Sequence, residues 1–274
     1  MKIHLPRVLR LGPLLTLLTL LPCALPPSAA AENLPVRNLQ GTVHGFLEMR
    51  AEDGHVVASG DIVQIAHADR VTSRTVFTFK DGSTDDETTV FSQRRTFQLI
   101  SDHHIQKGPF FPHPMDLMVD VPSHQVTVRT TGKDGKEEVK TDHIDLPPDL
   151  GNGMVALLLQ NVRANAGDLT VPLLVTTPKP RLVKLVISRR GEDSVSIAGA
   201  SRKAEHYEIR IEIGGIAGLV APLVGKAPPN IQIWVIGGEA STFVREQGPL
   251  FEDGPVMTIQ LASPVWPEPA KAGS

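Results

Sequence analysis

Two groups of side chains on one meander have the types and spacing to do chemistry. Asp85-Asp86-Glu87 and His103-His104 combine carboxylate and imidazole donors, with His113 just beyond. Such a set can hold a divalent metal ion. Asp85, Asp86, His103 and His104 are therefore the candidate residues of a metal-assisted hydrolase. The spacing matches no zinc signature such as His-Glu-x-x-His. Adjacent histidines in a strand point to opposite faces, so a given site can use only one of His103 and His104. The plain alternative is a solvated acidic turn after Lys80-Asp81-Gly82-Ser83, with surface histidines.

Other chemistry finds less support. Gly151-Asn152-Gly153-Met154-Val155-Ala156 has the spacing of a dinucleotide-binding glycine motif. That motif needs a strand before it and alternating βα units around it, and this chain offers Leu146-Pro147-Pro148-Asp149-Leu150 instead. The plain alternative is that the small residues let a helix pack closely on a sheet. No Gly-x-Ser-x-Gly elbow, Ser-x-x-Lys pair or cysteine nucleophile supports covalent catalysis. A glycosidase carboxylate pair is set by the fold rather than by spacing. Trp234, Trp266 and Tyr207 are the only Trp and Tyr, which counts against sugar platforms. No cofactor is implied.

Apolar residues carry a different suggestion. Residues 214–229 place Ile216, Leu219, Val220, Leu223 and Val224 among Gly, Ala and Pro, with Lys226 as the single charge. Connectors are usually polar and exposed. This one is expected to fold into the core, line a pocket or touch something greasy, with a short helix around 217–224. Arg245 follows a strand-like run and could pair with an acidic head group, with a solvated strand face as the plain and favoured alternative. The candidate cavity residues are Met154, Leu158, Leu219, Leu223, Trp234 and Arg245.

The elements that must position these residues read as strands. Runs at 42–49, 71–80, 88–99, 126–131, 138–141, 169–177, 181–188, 194–198, 204–213, 231–236 and 256–261 are alternating or β-branched. Asp-Gly dipeptides begin at Asp53, Asp81, Asp134 and Asp253, and Asp-Gly between such runs signals a hairpin. One segment departs from the pattern. Leu150, Met154, Leu158 and Val162 stand four apart, flanked by Val155, Leu157 and Leu159. That spacing predicts a buried helix at about 147–164 lying on the concave face of the sheet. The expected fold is mainly β: a curved antiparallel sheet, as a half-barrel or open barrel, with this one buried helix.

The first 31 residues place Lys2, Arg7 and Arg10 before an apolar run at 11–21 and end in Ala29-Ala30-Ala31. Positive, greasy, then small is the order of a secretory signal peptide, and the run is short of the ~20 residues that span a bilayer. The expected organisation is a signal peptide at 1–31, a linker at 32–40, one β-rich domain at 41–262 and a disordered tail at 263–274. The expected location is the periplasm or the exterior. Without the leader's three basic residues the chain has 24 basic and 30 acidic side chains, a net charge of −6. That balance argues against nucleic acid as a partner. The single cysteine, Cys23, lies inside the leader, so cleavage after Ala31 leaves a mature chain with no cysteine and no disulfide; the alternative is that Cys23 is a lipid-attachment site.

The leader, the meander, the greasy helix and the late pair Trp234-Val235 and Phe243-Val244-Arg245-Glu246 resemble bacterial periplasmic lipoprotein-carrier proteins and related uncharacterised exported domains. Lys107-Gly108-Pro109-Phe110 and Lys226-Ala227-Pro228-Pro229 have the look of loops from such an uncharacterised group. The resemblance is one of pattern over residues 40–262. It implies a half-barrel whose helices lid an apolar cavity for acyl chains. The leading expectation is therefore an exported, non-enzymatic protein that binds a lipid, acyl chain or greasy peptide. The alternatives are the metal-assisted hydrolase and a structural or interaction domain of the cell envelope.

Overall fold

The computed structural model describes residues 34–131, 135–176, 179–197, 199–214, 228–238 and 241–262. The expected leader, the tail at 263–274 and most of the apolar connector, including Leu219 and Leu223, lie outside them. Fourteen strands run through the described residues: Val43–Arg50 (β1), Val56–His67 (β2), Arg70–Phe79 (β3), Thr84–Gln93 (β4), Phe97–Lys107 (β5), Met115–Asp120 (β6), Gln125–Thr131 (β7), Glu137–His143 (β8), Leu169–Val175 (β9), Arg181–Ile197 (β10), Ala200–Glu212 (β11), Ile231–Ile236 (β12), Thr242–Pro249 (β13) and Val256–Leu261 (β14). One short helix, Val155–Leu159 (α1), stands between β8 and β9.

All fourteen strands join one antiparallel, curved and unclosed sheet. Its order is β8-β7-β6-β5-β4-β3-β2-β1-β14-β13-β12-β11-β10-β9. Two meanders, β1–β8 and β9–β14, are stitched by the β1–β14 pair, where Leu47 faces Leu261 and Met49 faces Ile259. The edges are β8 and β9, which are neighbours in sequence but not in the sheet. Asp-Gly turns sit where β1–β2, β3–β4, β7–β8 and β13–β14 reverse, with positive φ at Gly54, Gly82, Gly135 and Asp253. Asp134 itself lies outside the described residues.

Residues 144–168 carry the chain from one edge of the sheet to the other. The expected helix over 147–164 contracts here to α1, with turns on either side. Gly153 is the reason on the N-terminal side. Its φ of +64° is left-handed, and a Cβ there would meet Thr89 Oγ1 at 1.9 Å. A helix through this point would hold the backbone off the sheet; the turn lets it touch. Backbone bonds then tie the connector to both walls: Leu99 N–H donates to Pro148 O (2.8 Å) and Gly151 N–H to Pro172 O (2.8 Å). Asn152 bonds both backbone groups of Leu174 on edge strand β9, satisfying polar groups that lack a strand partner.

The main core surrounds this connector. Leu150, Met154, Leu157, Leu158 and Leu159 pack with Phe91, Leu99 and Val119 from one meander and Leu185, Ile209 and Val235 from the other. A second cluster, with Met49, Phe77, Phe79, Phe111 and Met257, fills one end of the sheet. The 107–110 loop supplies its lid: Phe110 N–H donates to Ser83 Oγ (2.9 Å), and Phe79, Phe110, Phe111 and Phe251 form a box of tilted and edge-on rings. The segment at 34–40, expected as a linker, lies on the sheet. Its Arg37 and Asn38 N–H groups both donate to Oδ1 of the fully buried Asn161, just beyond α1.

Candidate functional site

Strand alternation sorts the expected metal residues onto two faces. Inward, Asp85, Glu87 and Thr89 of β4 stand opposite Gln106, His104 and Asp102 of β5. Outward, Asp86 and His103 face solvent with Asp116 of β6. Asp85 and His104 are thus brought together, and Asp86 and His103 are carried to the other side. Among the described residues no group of three or more His, Cys, Asp or Glu side chains is arranged to hold a metal ion. The four-residue hydrolase set is broken by the pleat itself.

The outward residues form a ladder of ion pairs. Arg74 makes a fork to Asp86 (2.9 and 2.6 Å), His103 Nε2 meets Asp116 Oδ1 at 2.9 Å, and Arg129 lies 3.6 Å from the other Asp116 oxygen. The bond from Arg74 holds the Asp86 carboxyl below its ordinary range. This is a solvated strand face.

The inward group is different. His104 Nε2 donates to Asp85 Oδ1 (2.7 Å), and Gln106 Nε2 donates to Asp85 Oδ2 (3.0 Å) and to Leu250 O (3.1 Å). Thr89 Oγ1 donates to Asp102 Oδ1 (3.0 Å) beneath the Gly153 turn. Burial alone would depress the His104 imidazolium, but the bond to Asp85 and the charges of Glu87, Asp85 and Asp102 raise it to about 9. Burial, reinforced by Glu87, pushes Asp102 up to about 8. Burial also raises Glu87, and it raises Glu246 of β13 to about 7. Glu87 nevertheless keeps 31% of its side-chain surface open.

Glu246 adds a second wall. It pairs in register with Ile233 and Ile259 and so points inward. Four strands separate β13 from β4 in the sheet, yet Glu246 acts on Glu87 through its charge. Half-buried apolar side chains stand on the same inward face: Ile62, Phe243, Ile259 and Leu261. At the rim near the end of α1, a recess of about 470 Å³ is lined by Leu159, Val162 and Val235 together with the polar side chains of Arg37, Asn38, Gln160, Glu205 and Tyr207. Val235 pairs with Phe243, and the next inward pair along the same strands is Ile233 with Glu246.

The expected cavity residues separate. Met154 and Leu158 lie in the main core, with exposures of 0% and 5%. Trp234 and Arg245, paired in register, lie on the outer face. There Trp234 packs with Val195, Ala204 and Val244, and the His206 ring stacks on it at 4.5 Å. Its Nε1 donates to Asp193 Oδ2 (2.8 Å), and the Arg245 guanidinium covers the ring at 5.6 Å. Trp234 points out by ordinary alternation between the inward Ile233 and Val235, and the bulge opposite it on β13, where Val244 is the extra residue, puts Val244 and Arg245 together on the outer face. Glu87 was read as a donor beside Asp85 and Asp86 but left out of the four-residue set, and Asp102 and Glu246 escaped the sequence reading as a site. Glu87 and Asp102 were visible as acidic residues at inward-phase positions, but Glu246 carried no such signal.

No known protein family and no curated protein matches the chain. Among solved structures it is similar to the crystal structure of a β-barrel-like protein of domain of unknown function DUF1849 from Brucella abortus. The TM-score is 0.45 and the sequence identity 10%, over 83% of this chain and 97% of that chain. No helix among the described residues is long and apolar enough to cross a membrane.

Proposed function

We propose that the chain is an exported, non-enzymatic binding protein that takes an apolar ligand, a lipid or acyl chain, on the concave side of its open sheet. The observation that supports this most is the set of half-buried apolar side chains on the inward face, Ile62, Phe243, Ile259 and Leu261, near a rim recess of mixed polar and apolar lining. The recess volume falls within the range of small-molecule sites. Covering each 100 Å² of such surface contributes about 2.5 kcal/mol, which makes burial of an alkyl chain the driving force of this reading. The connector at 144–168 supports the reading in another way. It packs with side chains of β3–β7 and β9–β12 and leaves Ile62, Phe243, Ile259 and Leu261 half-buried on the inward face. Export rests on the leader pattern of the first 31 residues.

The test is direct. The chain is produced with its leader, purified from the exported fraction and extracted with chloroform and methanol, and the extract is analysed by mass spectrometry. A near-stoichiometric apolar molecule is expected. An extract empty of any apolar molecule contradicts the proposal.

A further inference from the structure

The two edges of the sheet are finished differently. At β9 the chain closes its own edge. Pro172 has no N–H to offer, its carbonyl accepts Gly151 N–H (2.8 Å), and Asn152 takes both backbone groups of Leu174. At β8 no segment among the described residues does this, and every residue from Glu137 to His143 is exposed. The ladder decides which backbone groups of β8 are open. Ile144 N–H donates to His124 O, and the β7–β8 register continues in phase from there. The N–H and C=O groups of Glu138, Lys140 and Asp142 therefore turn to β7. Those of Glu137, Val139, Thr141 and His143 turn to the open edge.

We propose that β8 is a dimer edge, which pairs antiparallel with β8 of a second copy so that Val139 meets Val139 on the twofold axis. Only registers that set the open positions against one another use the free backbone groups. In this one Glu138 faces Lys140 of the second copy, Glu137 faces Thr141 and, just past the strand, Lys136 faces Asp142. Within one chain Lys140 Nζ already lies 3.0 Å from Glu138. Pairing closes Glu138 and Lys140 of both copies into a ring of alternating charge. Val139, 53% exposed in the single chain, meets its twin. Slid by two residues one way, the strands set Lys140 against Lys140 and Glu138 against Asp142; slid the other way, they set Glu138 against Glu138. Like charges directly opposite are destabilising. No other register of the described residues sets as many opposite charges face to face. Lysine on an edge strand ordinarily discourages pairing. Here its spacing from Glu138 selects one partner, the same strand inverted. The contact makes about six backbone hydrogen bonds over residues 137–141 but is only one strand wide, so the association is weak.

Sedimentation equilibrium of the purified chain tests this. The expected result is a monomer–dimer equilibrium with a dissociation constant of about 100 µM. V139P removes an N–H that β7 does not use and should leave a monomer. E138K and K140E each set like charges opposite and should weaken the dimer about tenfold, whereas E138K/K140E exchanges the two charges and should restore it. In a C23S background, V139C should oxidise to a covalent dimer and T141C should not, because only Val139 comes within disulfide reach of its twin. A chain that stays monomeric at about 0.5 mM overturns the proposal, as does a dimer indifferent to V139P. Single charge reversals without effect, an exchange that restores nothing, or covalent dimers from T141C rather than V139C overturn the register.

Discussion

Asp102 and Gly153 are locked together through Thr89: the Thr89 hydroxyl bonds one Asp102 oxygen at 3.0 Å, and the Gly153 backbone lies where any side chain would strike that hydroxyl. The contact fixes the connector against the β4–β5 wall and buries a carboxyl that would otherwise meet water.

Gly153→Ala should therefore be among the most destabilising single-methyl changes in the chain. The left-handed φ costs about 1–2 kcal/mol for an alanine, and the clash with Thr89 adds about as much again. Urea unfolding measures the loss. G153A/T89A removes the hydroxyl that clashes and should recover part of the stability, leaving the backbone cost. If G153A unfolds at the midpoint of the unaltered chain, the packing described is wrong.

Stability should fall as pH rises across the neutral range. Asp102, Glu246 and His104 hold protons more tightly folded than unfolded: about 8 against 3.8, about 7 against 4.5 and about 9 against 6.5. The native state binds more protons through this window. The stabilisation is complete below the ordinary values and is lost as pH passes the raised ones. Asp86, held low by Arg74, acts in the opposite sense, but only at the acidic end below its ordinary 3.8. The urea midpoint should be higher at about pH 5.5 than at about pH 8.5, and D102N should shrink the difference. A flat profile, or one rising with pH, contradicts the buried inward cluster.

Asn161 is a structural clasp for the segment at 34–40. Its oxygen accepts the Arg37 and Asn38 N–H groups at 3.0 and 2.7 Å, and its amide donates to Leu157 O at 3.1 Å. N161A should cost about 2 kcal/mol. Proteolysis should then cleave within 34–40 before it cleaves the sheet. Unchanged protection of that segment would show that it is held elsewhere.

Trp234 separates structure from binding. It lies on the outer face, so W234F should lose the Asp193 bond and about 1 kcal/mol of stability. Affinity for an apolar probe should stay unchanged. A large loss of affinity would place the site on the outer face.

Much of the fold was legible from local pattern. The runs at 231–236 and 256–261 appear as β12 and β14 with the same bounds, and each Asp-Gly pair marks a reversal. The errors have physical causes. The run at 88–99 reads as one strand because both halves are β-rich, but the chain turns at Arg94-Arg95 and gives β4 and β5. Runs at 181–188 and 194–198 are one strand, β10, because the bulge at Gly191 keeps the pairing while breaking the alternation. The apolar spacing of 150–162 predicted burial correctly and helix length poorly, since Gly153 is spent on touching Thr89. At the site, sequence spacing brought Asp85 near His104, but no local pattern could bring Glu246 across to Glu87. That relation depends on the shape of a whole sheet.

The most direct test of apolar binding on the concave side is equilibrium titration of the neutral fluorophore N-phenyl-1-naphthylamine into lipid-stripped protein. Phe243, which packs against both the main core and the end cluster, is the side chain to vary. The account predicts saturable binding of one probe per chain, weakened about tenfold or more in F243A. Fluorescence that rises without saturating, or binding indifferent to F243A in a folded variant, would contradict it.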